Sequence, residues 1–157
     1  MRKTAAVIML WLLCAGGSVA SGTEISPAPE PALVIIDIQN FYFESGLLPL
    51  AGSVEASLKA KTVLEKFRAK GLPVIHIRHE SKKAVEEGRT NDPQHAIHPN
   101  EAPIAGEKVI TKHYANSFRE TELIEYLREK QIHRLVLCGM QTHMCLEATA
   151  RAEVRGS

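Results

Sequence analysis

Three side chains in this sequence could together run nucleophilic chemistry: the thiol of Cys145, the carboxyl of Asp37 and the ammonium of Lys112. The stretch Leu135–Arg151 opens as a short apolar run, breaks at Gly139 and resumes with Ala and Glu, a pattern that predicts strand, tight turn and helix. Cys145 then falls in the first turn of that helix. Unpaired backbone N–H groups and the positive end of the helix dipole at such a place favour a thiolate and lower a cysteine's pKa. A cysteine there reads as a nucleophile, or as one more small buried apolar side chain. Asp37 sits near the end of the apolar run Ala32–Ile38, where an ionised carboxylate without a partner costs several kcal/mol, so it needs a partner or a role. Lys112 follows the short run Lys108–Thr111. Alone it would be a solvated surface charge; beside a thiol and a carboxylate it would stabilise the anions formed there.

The elements that must position these groups alternate. Ala32–Ile38 fits a parallel strand covered on both faces. From Ser53 to Lys70 the positions Ala56, Ala60, Val63, Leu64 and Phe67 recur at helical spacing, with Gly71 as the stop and Pro73 beyond. Leu72–Ile77 predicts a second strand and Lys108–Thr111 a third. Thr121 is the expected cap of a helix that turns Leu123, Ile124 and Leu127 inward, with Glu122 in its first turn. Arg134–Cys138 is the fourth strand. This alternation specifies an α/β fold, a three-layer α/β/α sandwich around a parallel sheet with right-handed crossovers. Ligands bind beyond the carboxyl ends of such strands, and Asp37, Lys112 and Cys145 all lie at or just past them. Between the first strand and its helix, Phe41-Tyr42-Phe43 is either a wall of the site or packing under a loop.

Three ordered segments carry a resemblance: Leu33-Val-Ile-Ile-Asp37-Ile-Gln39-Asn40, then Val109-Ile-Thr-Lys112-His-Tyr-Ala-Asn116-Ser-Phe118, then Cys138-Gly-Met-Gln-Thr-His-Met-Cys145. Together they resemble the isochorismatase-like cysteine hydrolases, which include nicotinamidases and other small-amide hydrolases. The resemblance implies that Asp37 takes the Cys145 proton, that the sulfur attacks an amide-like carbonyl to form a thioester, and that Lys112 holds Asp37 and the developing charge. It implies an oxyanion hole from the backbone N–H groups of Cys145 and Gln141, with a cis Met140–Gln141 peptide. Tyr114, Asn116, Phe118 and His143 are then candidate substrate-binding residues, simple packing or loop hydrogen bonding being the other reading of each. Dimers or tetramers are implied as well. A vinyl-ether hydrolase of the isochorismatase type is the rival reaction, although a thiol nucleophile favours amide chemistry. The resemblance breaks at the C-terminus. The family continues with two more strands and a closing helix, whereas this sequence stops at Ser157, so the strand Arg134–Cys138 would become an open edge. A truncated frame, a fragment, completion by a partner chain and a non-catalytic remnant all remain open.

Composition bounds the rest. A chain of 157 residues, 45% hydrophobic and 24% charged, has room for one globular domain, here 32–157. A net charge of +1, with Lys and Arg scattered among Asp and Glu, excludes a nucleic-acid field and leaves a small-molecule substrate as the expected partner. Met1-Arg2-Lys3 followed by the apolar run Ala5–Ala15 is too short for a membrane span and reads as a signal peptide over residues 1–20, cleaved after Ala20. An uncleaved anchor is the alternative. Residues 21–31 form a proline-rich lead-in. Export to a periplasmic or secreted location would place Cys138 and Cys145 where thiols oxidise, yet a strand end and a helix start across a tight turn are poorly placed to bridge. Cys138 is therefore read as a core thiol and Cys145 as free. No cofactor is called for. His76, His79, His95 and His98 invite a metal, but no metal-site spacing is evident among them.

Overall fold

The apolar runs become the strands of one sheet. The computed structural model describes residues 10–13, 30–88 and 92–155. In chain order the elements are β1 (Leu10–Leu13), β2 (Ala32–Ile36), α1 (Ser53–Ala69), β3 (Val74–His79), α2 (Lys82–Glu86), β4 (Lys108–Lys112), α3 (Leu123–Glu129), β5 (Arg134–Gly139) and α4 (Glu147–Arg155). Their order in the sheet is β1-β5-β2-β3-β4. The last four of these are mutually parallel, which is the α/β architecture that the alternation of elements requires.

Two expectations change. The edge of β5 is not open: β1 pairs with it antiparallel, Leu10 opposite Leu137 and Leu13 opposite Arg134. That pairing supplies the backbone partners an exposed strand edge would lack. The pairing segment lies within the stretch read as a leader. The rest of 1–20, and positions 21–29 of the lead-in, lie outside the described residues. No helix among the described residues is long and apolar enough to cross a membrane. The second change is local. The strand expected over Ala32–Ile38 stops at Ile36 because Asp37 turns into the left-handed region, with φ 52°. The strand after α1 likewise starts at Val74 and runs on to His79. Thr121 does cap, one position early: its hydroxyl accepts from the Leu123 N–H at 3.3 Å while Glu122 takes the N-cap position with no side-chain bond.

Each face of the sheet has its own core. On one, Ala56, Ala60, Leu64 and Phe67 of α1 pack over Leu33, Ile35 and Val136. On the other, Leu123 and Leu127 of α3, with Cys145 and Leu146, cover Val34, Ile36, Ile77 and Ile110. Fully burying a side chain such as Leu64 or Leu123 contributes about 1.5–3 kcal/mol, and these contacts hold the carboxyl ends of the strands in one plane.

Gly139 closes β5 against β2 at φ 148°, and a Cβ there would overlap the Ile36 carbonyl, which also accepts from the Met140 N–H at 2.9 Å. Gly139→Ala is expected to lower stability by about 3 kcal/mol or more, read as a fall in the urea midpoint at unchanged m.

Glu101, at the end of a single turn Pro99–Glu101 against α1, is fully buried, and neither carboxyl oxygen has a hydrogen-bond partner. Burial pushes its carboxyl up to about 8, with the charge of Lys61 offsetting only part. The unfolded carboxyl ionises at its ordinary value of 4.5, so between that pH and about 8 the folded chain binds the extra proton. Stability therefore falls as pH rises through this window and levels off above it. Glu101→Gln should melt with the parent at pH 4 and roughly 5 °C or more above it at pH 9, by circular dichroism.

Candidate active site

Asp37 follows β2, Lys112 ends β4 and Cys145 lies in the turn after β5, so the sheet brings all three to one rim. Asp37 is held by its N–H, which donates to the Ile77 carbonyl at 2.9 Å, and its left-handed backbone turns the carboxyl away from the strand's alternation. Lys112 Nζ meets Asp37 Oδ2 at 2.8 Å, with both side chains wholly buried. The same ammonium donates to the carbonyls of Tyr114 at 3.1 Å and Ala115 at 3.3 Å. An ammonium has three protons, and here each has an acceptor. The Cys145 thiol lies close enough for the charges of Asp37 and Lys112 to act on it.

Two features of Cys145 differ from the expectation. It occupies a π-helical turn, Thr142–Leu146, with α4 beginning only at Glu147. The wide turn shows in the Leu146 N–H reaching back five residues to the Gln141 carbonyl at 3.3 Å. Its thiol pKa is raised, to about 12, rather than lowered. Burial and the negative charge of Asp37 outweigh the help of Lys112. Asp37 moves in the same direction, because its desolvation outweighs the Lys112 charge. Both groups therefore hold a proton more tightly than they would in water. Proton transfer between them is better matched than between an ordinary carboxylate and a strongly shifted thiol. The Met140–Gln141 peptide is cis, as the resemblance implies.

The other named residues divide. Asn116 closes its own turn, its Oδ1 accepting from the Phe118 N–H at 2.9 Å. Phe118 packs against the core that contains Cys145. Tyr114 offers the site its carbonyl, while its ring has Arg119 at 3.9 Å and Lys82 at 4.6 Å from its centroid. His143 is exposed on the turn. Cys138 and Cys145 are both free and buried, and burial together with the charge of Glu101 pushes Cys138 up to about 12. Two of the four histidines have partners elsewhere. His76 bonds Glu107 at 2.8 Å, and His98 stacks on Phe43 at 3.6 Å. Among the described residues no three His, Cys, Asp or Glu side chains gather as metal ligands.

Two further residues bear on the site. Gln39, fully buried, donates to the carbonyls of His79 at 3.1 Å and His95 at 2.6 Å, and accepts from the His79 N–H at 2.8 Å. It ties the end of β3 to the 93–95 turn. Tyr42 is buried, and its phenol is pushed up by desolvation and by the charges of Asp37 and Cys145, so it stays protonated beside them. Tyr42 packs in the core under the loop with Phe41 and Phe43, near enough for the charge of Asp37 to act on its phenol. A buried glutamine two residues from a carboxylate was the available signal for Gln39; nothing in the sequence distinguished Tyr42 from Phe41 or Phe43.

Comparison with known proteins agrees with this geometry. The model of the Isochorismatase domain matches residues 31–155. An uncharacterized isochorismatase family protein of Bacillus subtilis, YddQ, is 40% identical over 78% of this chain and 69% of its own length. The secreted isochorismatase effector Isc1 of Verticillium dahliae is 34% identical over 78% of this chain and 64% of its own. The maleamate amidohydrolase of Pseudomonas putida is 31% identical over 82% and 68% respectively. The crystal structure of an isochorismatase hydrolase from Oleispira antarctica superposes with a TM-score of 0.73 at 39% identity, over 82% of this chain and 70% of that one. The chain thus spans about two thirds of the length of these relatives.

Proposed function

Since this chain belongs to the isochorismatase family of hydrolases, we propose that it is a cysteine hydrolase that cleaves the C–N bond of a small amide through a thioester. The observation that carries the reading is that buried Cys145 and Asp37 lie at one rim of the sheet, with Lys112 Nζ 2.8 Å from Asp37 Oδ2. Relatives whose names state amide hydrolysis, such as the maleamate amidohydrolase, support the bond type.

The sequence of proton transfers follows from the pair. As sulfur attacks the amide carbon, its proton passes to Asp37 and the carbonyl oxygen becomes an oxyanion. The backbone N–H groups of Gln141 and Cys145 are assigned to that oxyanion. Collapse breaks the C–N bond, and ammonia leaves with the proton from Asp37. Water then attacks the thioester, again giving a proton to Asp37, and the acid departs as sulfur recovers its proton. Lys112, with its donors already engaged, acts through its charge and holds Asp37 in place. The candidates Tyr114, Asn116, Phe118 and His143 belong to the rim of this site.

A panel of small amides assayed for ammonia release tests the reaction, with hydroxylamine added to intercept the acyl group as a hydroxamate. Ammonia together with hydroxamate supports the thioester route; release of neither across the panel refutes it. We further assign the chain to an exported compartment on the basic and apolar residues of its leader. N-terminal sequencing of material recovered outside the cytoplasm, beginning at Ser21, is the expected result; that cleavage would also remove Leu10–Leu13 and leave the β5 edge without the partner it has in the uncleaved chain.

A further inference from the structure

A route of hydrogen bonds runs from the Lys112 side of the site to the backbone of Cys145. Lys112 Nζ holds the carbonyls of Tyr114 and Ala115 in the loop that follows β4. At the far end of that loop the Thr121 hydroxyl donates to the Ser117 carbonyl at 2.6 Å. Gripped from both ends, the loop brings Ser117 against α4. There the Ser117 N–H donates to Thr149 Oγ1 at 3.1 Å, and the two hydroxyl oxygens lie 2.9 Å apart. Thr149 Oγ1 in turn donates to the Cys145 carbonyl at 2.8 Å. Ser117 and Thr149 are both wholly buried.

Counting protons fixes the direction of these bonds. A carbonyl cannot donate, so the single hydroxyl proton of Thr149 belongs to Cys145, and the Thr149 oxygen accepts from both the N–H and the O–H of Ser117. A threonine bonding the carbonyl four residues back is common in helices. Two donors on the same oxygen from a loop 32 residues away are not part of that local habit. Both buried donors of Ser117 depend on this one acceptor, and a buried donor without an acceptor is strongly disfavoured. The Thr149 oxygen is thus held from the loop side, and its own proton falls on the residue that carries the thiol. That residue sits in the π turn Thr142–Leu146, a single wide turn whose closing bond, from the Leu146 N–H to the Gln141 carbonyl, measures 3.3 Å. Such a turn interrupts α-helical bonding, so its shape depends on what its neighbours hold.

We propose that Thr149, held by Ser117, is a positioning residue: it clamps the Cys145 turn to the loop that Lys112 anchors, and so fixes where the thiol stands relative to Asp37. Thr149 and Ser117 touch no reacting atom and act only through the Cys145 backbone. The inference rests on the cysteine-hydrolase reading of the same site.

The test pairs turnover with a readout that needs none, the rate at which iodoacetamide alkylates Cys145, followed on its own peptide by mass spectrometry between pH 7 and pH 10. Thr149→Val removes the oxygen and keeps the branched shape, whereas Thr149→Ser keeps the oxygen. In ammonia release from amides, Thr149→Val should lower kcat by about 100-fold, as a misplacement of about 1 Å at the reacting atoms would, with KM within about 2-fold. Thr149→Ser should return kcat to within about 3-fold of the parent. The charges that reach the thiol are those of Asp37 and Lys112, the Tyr42 phenol lies near enough to feel it, and neither substitution alters these groups. Burial and Asp37 push the thiol up to about 12, so a turn released from its clamp should let it move back toward its ordinary 9. Alkylation of Thr149→Val at pH 8 should then be at least about 10-fold faster than that of the parent, with Thr149→Ser following the parent. Leu64→Ala, in the core on the other face of the sheet, weakens the fold without touching the clamp and should leave kcat and the alkylation profile unchanged. If Thr149→Val does not fold, Ser117→Ala, which takes one donor from the Thr149 oxygen, is read the same way with about 10-fold expected in kcat and about 3-fold in alkylation. If no amide is turned over, faster alkylation of the valine but not the serine variant upholds the clamp, and only the hydrolase reading fails. Parental alkylation in Thr149→Val, a kcat within about 2-fold of the parent, a serine variant no better than the valine one, or the same changes in Leu64→Ala overturns the clamp.

Discussion

Cys145→Ala is expected to abolish amide hydrolysis, by about 10³-fold or more in kcat, because no other side chain at this rim can form the acyl intermediate. The fold should survive. Cys145 is a small side chain on a turn whose neighbours Leu146 and Thr149 carry the packing, Thr149 donating to the Cys145 carbonyl at 2.8 Å through a bond the substitution leaves intact. Loss of one buried sulfur costs about 1 kcal/mol, which a melt reads as a shift of a few degrees. Cys145→Ser sharpens the point. It preserves the shape of the side chain, but a hydroxyl gives up its proton far less readily than a thiol. Activity in the serine variant close to that of the parent would show that sulfur is not the attacking atom.

Lys112→Met should have the largest effect on stability. It removes the counter-ion of a carboxylate that is itself wholly buried, and breaking one side of such a pair costs about 3–5 kcal/mol. The carbonyls of Tyr114 and Ala115 lose their donor as well. Asp37→Asn alone strands the ammonium in the same way. The double variant Asp37→Asn, Lys112→Met carries no buried charge, so it should be more stable than Lys112→Met, and the cycle should show a coupling of about 1–3 kcal/mol. Urea denaturation of the four proteins measures it. A Lys112→Met protein with the parent's midpoint would mean that the pair is hydrated and that Asp37 is not tuned by burial. Activity should be lost in all three variants, since each removes either the base or the charge that keeps it ionised.

Much of this site could be read along the chain because parallel sheets place strand ends together. Once Asp37, Lys112 and Cys145 were assigned to the ends of strands or to the turn beyond one, their meeting followed from topology, and the structure puts Lys112 Nζ 2.8 Å from Asp37 Oδ2. The positions of α1 and α3 followed from periodicity, and α1 ends within a residue of the expected place, whereas the short α2 carried no readable pattern. The errors concern quantities that depend on what surrounds a residue. A cysteine at a helix start was expected to be acidic. Its acidity depends on how deeply the surrounding core buries it and on the sign of the nearest charge, and neither is a property of the residues next to it in sequence.

The edge of β5 teaches the same lesson from the backbone side. Nothing in the local pattern of Leu10–Leu13 announces a strand partner more than a hundred residues away; hydropathy describes how apolar a segment is, and pairing depends on which edge is vacant. Fold class, family and the meeting of Asp37, Lys112 and Cys145 at one rim were therefore legible in the sequence alone, since they rest on short-range periodicity and on residue types at strand ends. The direction in which burial shifts Asp37 and Cys145, the locking of Lys112, and the tie that Gln39 makes between the end of β3 and the 93–95 turn were decided only by tertiary structure. Desolvation and hydrogen-bond saturation are sums over neighbours distant in the chain, and those neighbours exist only once it has folded.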